Sequence, residues 1–199
     1  VFVVKKNVIK IIKQGINIVF GPPASGKSTL AMCMASEMLN QGKKVIYIDT
    51  ELKFSSERFL QIHTTKKNLE NFFLIKAPNF KEQQLKIKML KNVKNLALVV
   101  VDTINPHYRK LIKRKRELAD KMLASQLRCL KELQCYVLVL AQVYYDLQEG
   151  LTRMVGEKLL VKHATNVIRL KTNPRQILTP AGRFFFSINK QGLELKNLE

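Results

Sequence analysis

Short runs of consecutive apolar residues alternate along this chain with segments in which apolar residues recur every three to four positions. The first pattern predicts strands and the second amphipathic helices, and their alternation predicts a parallel sheet wrapped by helices. Residues 16–20, 45–48, 72–75, 96–101 and 136–141 read as strands. Residues 96–101 are apolar at every position, as a central strand buried on both faces requires. After the first strand, Leu30, Ala31, Met34, Ala35, Met38 and Leu39 give a helix over 28–41, with Gly42 as its stop. Ser55 or Ser56 caps a short helix carrying Phe59, Leu60 and Ile62. A lysine-rich helix runs from Pro78 to about Val93. Ala119, Met122, Leu123, Leu127 and Leu130 share one face of a helix from about 117 to 133.

The last third changes character. Residues 167–170, 176–178, 184–188 and 193–195 are short apolar stretches separated by Asn173-Pro174, Pro180 to Gly182 and Gln191-Gly192. That spacing predicts antiparallel strands or hairpins. No linker, composition break or internal repeat divides residues 1–199, so a single domain without an N-terminal DNA-binding domain is expected.

Composition narrows the setting. Nearly half of the 199 residues are hydrophobic, enough to bury a core. The longest apolar runs are too short to span a bilayer, and lysines interrupt the N-terminus where a signal peptide needs apolar length. Cys33, Cys129 and Cys135 form no CxxC pair and read as reduced thiols of a cytoplasmic protein. His63, His107 and His163 lack metal-ligand spacing, and no structural zinc is expected. The formal charge of +20 favours a polyanionic partner, nucleic acid ahead of a membrane surface.

The strongest chemical signal is Gly21-Pro22-Pro23-Ala24-Ser25-Gly26-Lys27-Ser28, which fits G-x-x-x-x-G-K-S/T between a strand and a helix. Backbone N–H groups of such a loop and the following helix N-terminus form an anion cavity. Lys27 is expected to reach the β- and γ-phosphates of ATP, Ser28 to ligate Mg2+, and Thr29 to lie near the α-phosphate. Asp102 ends the all-apolar strand at the same sheet edge, where a second magnesium-holding group belongs; the alternative is a strand-ending turn aspartate. Glu51 ends the strand after the loop's helix, as a base orienting water or as a surface glutamate. Gln142 ends another, as a γ-phosphate sensor or as an amide capping backbone groups.

Six cations, Arg109, Lys110, Lys113, Arg114, Lys115 and Arg116, crowd residues 109–116 without an acid. Charge alone leaves a solvated loop and a phosphate-binding loop equally open. Tyr144 and Tyr145 offer either base stacking or core packing.

In order, GPPASGKST (21–29), VIYIDTE (45–51), SERF (56–59), LVVVDTINPHYR (98–109), LVLAQVYYD (138–146), VGEKLLVKHATNVIRLK (155–171) and FFFSINKQGLEL (184–195) resemble the RecA/RadA recombinase superfamily, more narrowly its archaeal RadB-like paralogues. The resemblance implies an α/β fold: a RecA-like P-loop NTPase core, with a mainly parallel central sheet flanked by helices and short antiparallel strands at the C-terminal end. It implies that Glu51 is the catalytic glutamate, Gln142 the nucleotide-sensing amide and Arg58 an arginine near the adenine. Two DNA-binding loops map to about 110–117 and 144–154.

This chain departs from the family at Ala141, where asparagine is usual, in a shorter second loop, and at Gly156-Glu157 in place of a glycine pair. These residues also include no N-terminal DNA-binding domain or polymerisation segment. The expected function is therefore an ATP- and DNA-binding recombination or repair protein, a paralogue or mediator with weak ATPase activity. Single-stranded DNA read with low sequence specificity, a RadA-type recombinase and a second copy of the chain are its candidate partners. Competing readings are an ATP-switched adaptor, a KaiC-like signalling ATPase and, last, a nucleoside kinase.

Overall fold

The computed structural model describes residues 9–146 and 151–196. Strand β1 (Gly15–Phe20) leads through the glycine-rich loop into α1 (Lys27–Asn40), followed by β2 (Lys44–Asp49) and α2 (Ser56–Ile62). Then come β3 (Phe72–Lys76), α3 (Phe80–Met89), β4 (Leu96–Asp102), α4 (Pro106–Ile112), α5 (Arg116–Lys131) and β5 (Tyr136–Ala141). The small strands β6 (Val143–Asp146) and β7 (Leu151–Met154) precede α6 (Glu157–His163). The described chain finishes with β8 (Asn166–Thr172), β9 (Arg175–Thr179), β10 (Gly182–Asn189) and β11 (Gly192–Lys196).

Nine strands form one sheet in the order β11-β10-β9-β8-β1-β5-β4-β2-β3. The six from β8 to β3 are parallel, and β9, β10 and β11 extend them antiparallel. One expectation is corrected here. Residues 167–170 read as the first of four antiparallel strands, yet β8 pairs parallel with β1 and only its other edge starts the meander. A short apolar strand carries no signal for its partner's direction, and the connection through α6 supplies the crossover that parallel pairing needs.

Alternation along the strands divides the core. One side of the sheet buries Val19, Tyr47, Val100 and Leu138 under α1 and α2; the other buries Ile18, Ile48, Val101 and Val139 under α3, α5 and α6. Leu30, Met34, Met38 and Leu39 of α1 are fully enclosed. At about 1.5–3 kcal/mol for each large apolar side chain, their burial fixes the helix that follows the glycine-rich loop. Ser55 is the cap of α2, accepting from the Arg58 N–H at 3.1 Å. The chain leaves β1 toward β2 on one side and, after β5, lays β8 on the other. That reversal opens a crevice at the C-terminal strand ends, where open α/β sheets bind ligands.

Candidate functional site

Between β1 and α1 the chain folds around Gly26, whose φ of 98° lies in the left-handed region. A β-carbon on Gly21 would meet the Leu170 carbonyl oxygen and the Ser25 hydroxyl, so this position needs glycine for close approach. The N–H groups of Lys27, Ser28 and Thr29 precede the first intrahelical bond, from Leu30 N–H to the Gly26 carbonyl at 2.8 Å. They are the unsatisfied donors that make a helix N-terminus an anion site. Pro22 and Pro23 supply no N–H to this cradle. The Ser25 hydroxyl is buried inside the loop without a hydrogen-bond partner.

Lys27 curls back over its own loop, donating from Nζ to the Gly21 and Pro22 carbonyls, both at 2.9 Å. Burial lowers its pKa, and the nearby Asp102 and Glu51 carboxylates act against that shift. Asp102, at the end of β4, accepts a hydrogen bond from the Tyr47 phenol and has the Ser28 hydroxyl beside it as a second donor. Burial raises its pKa, and these two donors oppose the rise.

Glu51 is the junction of the site. Its Oε1 accepts from Thr103 Oγ1 and Gln142 Nε2, each at 2.7 Å, and its Oε2 accepts from Lys53 Nζ at 2.9 Å. Burial pushes the carboxyl's pKa up, but the Lys53, Thr103 and Gln142 hydrogen bonds together hold it below the usual glutamate range. The ends of β2 and β4 are latched by Thr50, whose hydroxyl donates to the Thr103 carbonyl at 2.6 Å and accepts from the Thr103 N–H at 3.0 Å.

Gly21, Lys27, Ser28, Glu51, Asp102 and Gln142 line one cavity of about 410 Å³, within the range of small-molecule sites. The structure thus brings together the groups expected from four separate stretches of sequence. Arg109 lines this cavity as well. Arg58 does not: its guanidinium donates to the Asn189 and Lys190 carbonyls at 2.7 and 2.9 Å, tying α2 to the β10–β11 turn.

The comparisons with known proteins agree with this geometry. Residues 8–138 match the family model described as the RecA N-terminal domain. The DNA repair and recombination protein RadB of Thermococcus kodakarensis is 36% identical over 198 residues, covering 88% of each chain. Its counterpart in Pyrococcus furiosus is 34% identical, covering 88% of this chain and 84% of that one. A crystal structure of the RadB recombinase aligns with a TM-score of 0.76 at 32% identity, covering 96% of this chain and 97% of that one. The chain belongs to the RecA family.

As a RecA-family core, it carries its nucleotide-binding elements where the crevice lies, and the elements beyond β4 and β5 differ from expectation. The basic loop over 109–116 is not continuous. Helix α4 takes in Arg109 and Lys110, the chain turns through Lys113, Arg114 and Lys115, and α5 opens at Arg116. The local cause is Pro106 in the first turn of α4, where its fixed φ suits a helix start and its missing N–H costs nothing. All six cations remain exposed.

The second expected loop, 144–154, contains the antiparallel strands β6 and β7, with residues 147–150 outside the described residues. Tyr144 and Tyr145 stand exposed on β6. The cavity between α4, α5 and this strand pair is lined by Tyr108, Arg116, Tyr144, Arg153 and Lys158 among others. Arg153 pairs there with Asp146 at 3.5 Å and Glu157 at 3.6 Å.

Sequence reasoning missed Tyr47, Thr103 and Lys53. A usable signal existed for Tyr47 alone: a phenol inside an otherwise apolar strand must find a hydrogen-bond partner when buried.

Proposed function

We propose that this chain is an ATP- and DNA-binding protein of homologous recombination and DNA repair, a RadB-like paralogue or mediator with weak DNA-dependent ATPase activity. One observation carries the reading: Glu51, Thr103 and Gln142 join in hydrogen bonds beside Lys27 and Asp102. The relatives named for DNA repair and recombination support the setting.

In this reading the N–H groups at the start of α1 receive the phosphates of ATP. Lys27 exchanges its two loop carbonyls for phosphate oxygens, a hydrogen-bond swap that keeps the ammonium satisfied. Ser28 and Asp102 would hold Mg2+. A hydroxyl and a carboxylate side by side at a phosphate cradle are the few protein ligands that ion takes. When bound it neutralises charge on the phosphates. Glu51 orients the attacking water and takes its proton, and the Gln142 amide, bonded to Glu51, senses the γ-phosphate. Because three donors already hold the Glu51 carboxylate, turnover is slow at rest. The same observation favours a second reading, an ATP-switched adaptor with negligible turnover. ATPase rates with and without single-stranded DNA separate the two, since an adaptor stays slow in both.

Lys110, Lys113, Arg114, Lys115 and Arg116 contact DNA phosphates, which gives little sequence preference, and the exposed Tyr144 and Tyr145 offer stacking to the bases of a single strand. Single-stranded DNA affinity measured across a salt series tests this. Lys113→Ala with Lys115→Ala is expected to flatten the log–log slope by roughly 0.7 for each phosphate no longer neutralised. Absence of any salt-sensitive DNA binding overturns the DNA-binding reading.

Arg109 stands apart from the other five cations. It lines the nucleotide cavity and, among the described residues, has no side-chain hydrogen bond or ion pair. Arg109→Ala is expected to weaken ATP about tenfold while leaving ADP nearly unchanged, by loss of a charged hydrogen bond to the γ-phosphate. Calorimetric titration of both nucleotides checks this. An equal loss for both places the guanidinium away from the γ-phosphate. A variant that instead loses DNA affinity returns Arg109 to the DNA-facing set.

A further inference from the structure

Asn105 lies two residues beyond Thr103, between β4 and α4, and is fully buried. Its side-chain amide donates to the carbonyls of Gln142 and Val155, both at 3.0 Å. Its Oδ1 accepts the Gln142 N–H at 2.9 Å. An asparagine amide has two N–H donors and one carbonyl oxygen, so both kinds of group are engaged on the same two residues. Those residues flank the strand pair: Gln142 immediately precedes β6, and Val155 immediately follows β7. The pair is closed at this point by the Val155 N–H to Gln142 carbonyl bond at 3.3 Å.

Backbone bonds extend the connection. The Asn105 carbonyl accepts the Arg109 N–H at 2.9 Å, setting the first turn of α4. The Ile104 carbonyl accepts from the buried Gln83 amide at 2.9 Å, anchoring this segment to α3. On the cavity side, the Gln142 side chain bonds Glu51, and Thr103 bonds the same carboxylate oxygen. Asn105 therefore holds the backbone of Gln142 and the foot of the β6–β7 pair with its side chain, while its own backbone carbonyl sets the origin of α4.

We infer that Asn105 is a positioning residue that couples the nucleotide cavity to the strand pair and basic helix proposed to face DNA. The inference rests on the function proposed above. When the Gln142 amide leaves Glu51 for a phosphate, its backbone moves against Asn105. The displacement passes to Val155 and to α4, because a buried amide cannot release its partners to water. An aspartate at this position keeps the shape but turns two donors into an acceptor facing two carbonyl oxygens. Alanine removes the link.

The test compares single-stranded DNA affinity with and without a non-hydrolysable ATP analogue, for wild type, Asn105→Ala and Asn105→Asp. Coupling between sites commonly spans about 5- to 150-fold, and wild type is expected to fall in that range. In the variants the ratio falls toward one, while ATP affinity without DNA and DNA affinity without nucleotide stay within about twofold of wild type. A residue that merely holds the fold lowers both affinities and leaves the ratio intact, and that result overturns the inference.

Hydrogen exchange on the wild type gives a second measurement that does not depend on variants folding. The analogue must alter exchange at the amides of Gln142, Val155 and strands β6 and β7, and unchanged exchange there overturns the inference. A wild type that binds both ligands without coupling also defeats it, leaving the proposed function standing. A wild type that binds neither ligand removes the proposed function and this inference with it.

Discussion

Glu51→Gln is expected to bind ATP about as well as wild type while losing at least about 100-fold in turnover, the scale of general-base contributions. The substitution keeps the side chain's length and its acceptor oxygen for Thr103, but it removes the group that takes the proton from water. It also places an amide against Lys53, so that ion pair is lost. Lys53 is highly exposed, and the pair's loss has little effect on folding. The pH profile adds a second check. Lys53, Thr103 and Gln142 more than offset burial and hold the Glu51 pKa below the ordinary glutamate range. A lowered pKa keeps the base ionised as pH falls, so the acid limb of the ATPase profile should lie below that range. Lys53→Ala deletes one of the three donors, and the limb should move toward higher pH. Single-turnover ATPase rates from mildly acidic to neutral pH read both effects. Undiminished turnover in Glu51→Gln assigns the base elsewhere.

What the sequence made legible follows from the range over which each feature is specified. The glycine-rich loop is written in consecutive residues, because phosphate binding needs Gly21, Gly26, Lys27 and Ser28 at fixed offsets between a strand and a helix. Asp102 was legible because residues 96–101 are all apolar, and with 98–101 buried the next residue falls at the strand's C-terminal edge. Glu51 and Gln142 were placed at the same edge by the same logic. Their direct contact was not legible, since it joins residues 91 apart in sequence through the packing of β2, β4 and β5. Tyr47 and Asp102, 55 apart, are a second case. Asn105 carried no signal of its own, since nothing local shows that its partners lie 37 and 50 residues onward.

The misreading of α4 had a different origin. The charge of residues 109–116 masked a local signal, Pro106 after Asn105, that marks a helix start. The helix start places Arg109 on the wall of the cavity that holds Lys27 and Glu51. The strands β6 and β7 were hidden because the resemblance supplied a loop, and because they pair only with each other, apart from the nine-stranded sheet.

Lys27→Ala is expected to remove ATP binding almost entirely, with an affinity loss of about 100-fold or more. Charged hydrogen bonds contribute roughly 1.5–3 kcal/mol each, and the ammonium is positioned to make more than one to the β- and γ-phosphates. The fold should tolerate the change. In the free protein Nζ bonds only carbonyls of its own loop, and deleting it also removes the desolvation cost of a partly buried charge, which offsets the bonds lost. Thermal melting separates the two effects. Wild type at an ATP concentration of 100 times its Kd gains about 2.7 kcal/mol by mass action, whereas the variant should melt near the free wild type and ignore ATP. Alkaline pH should mimic the substitution in part. Burial lowers the Lys27 pKa below that of an ordinary lysine, so as pH rises this ammonium loses its proton before exposed lysines do. ATP affinity should therefore weaken before the exposed lysines begin to titrate, and the decline should be absent from Lys27→Arg, whose guanidinium stays charged. An ATP-induced stabilisation that survives Lys27→Ala would mean that the nucleotide is held outside the cavity bounded by Glu51 and Asp102.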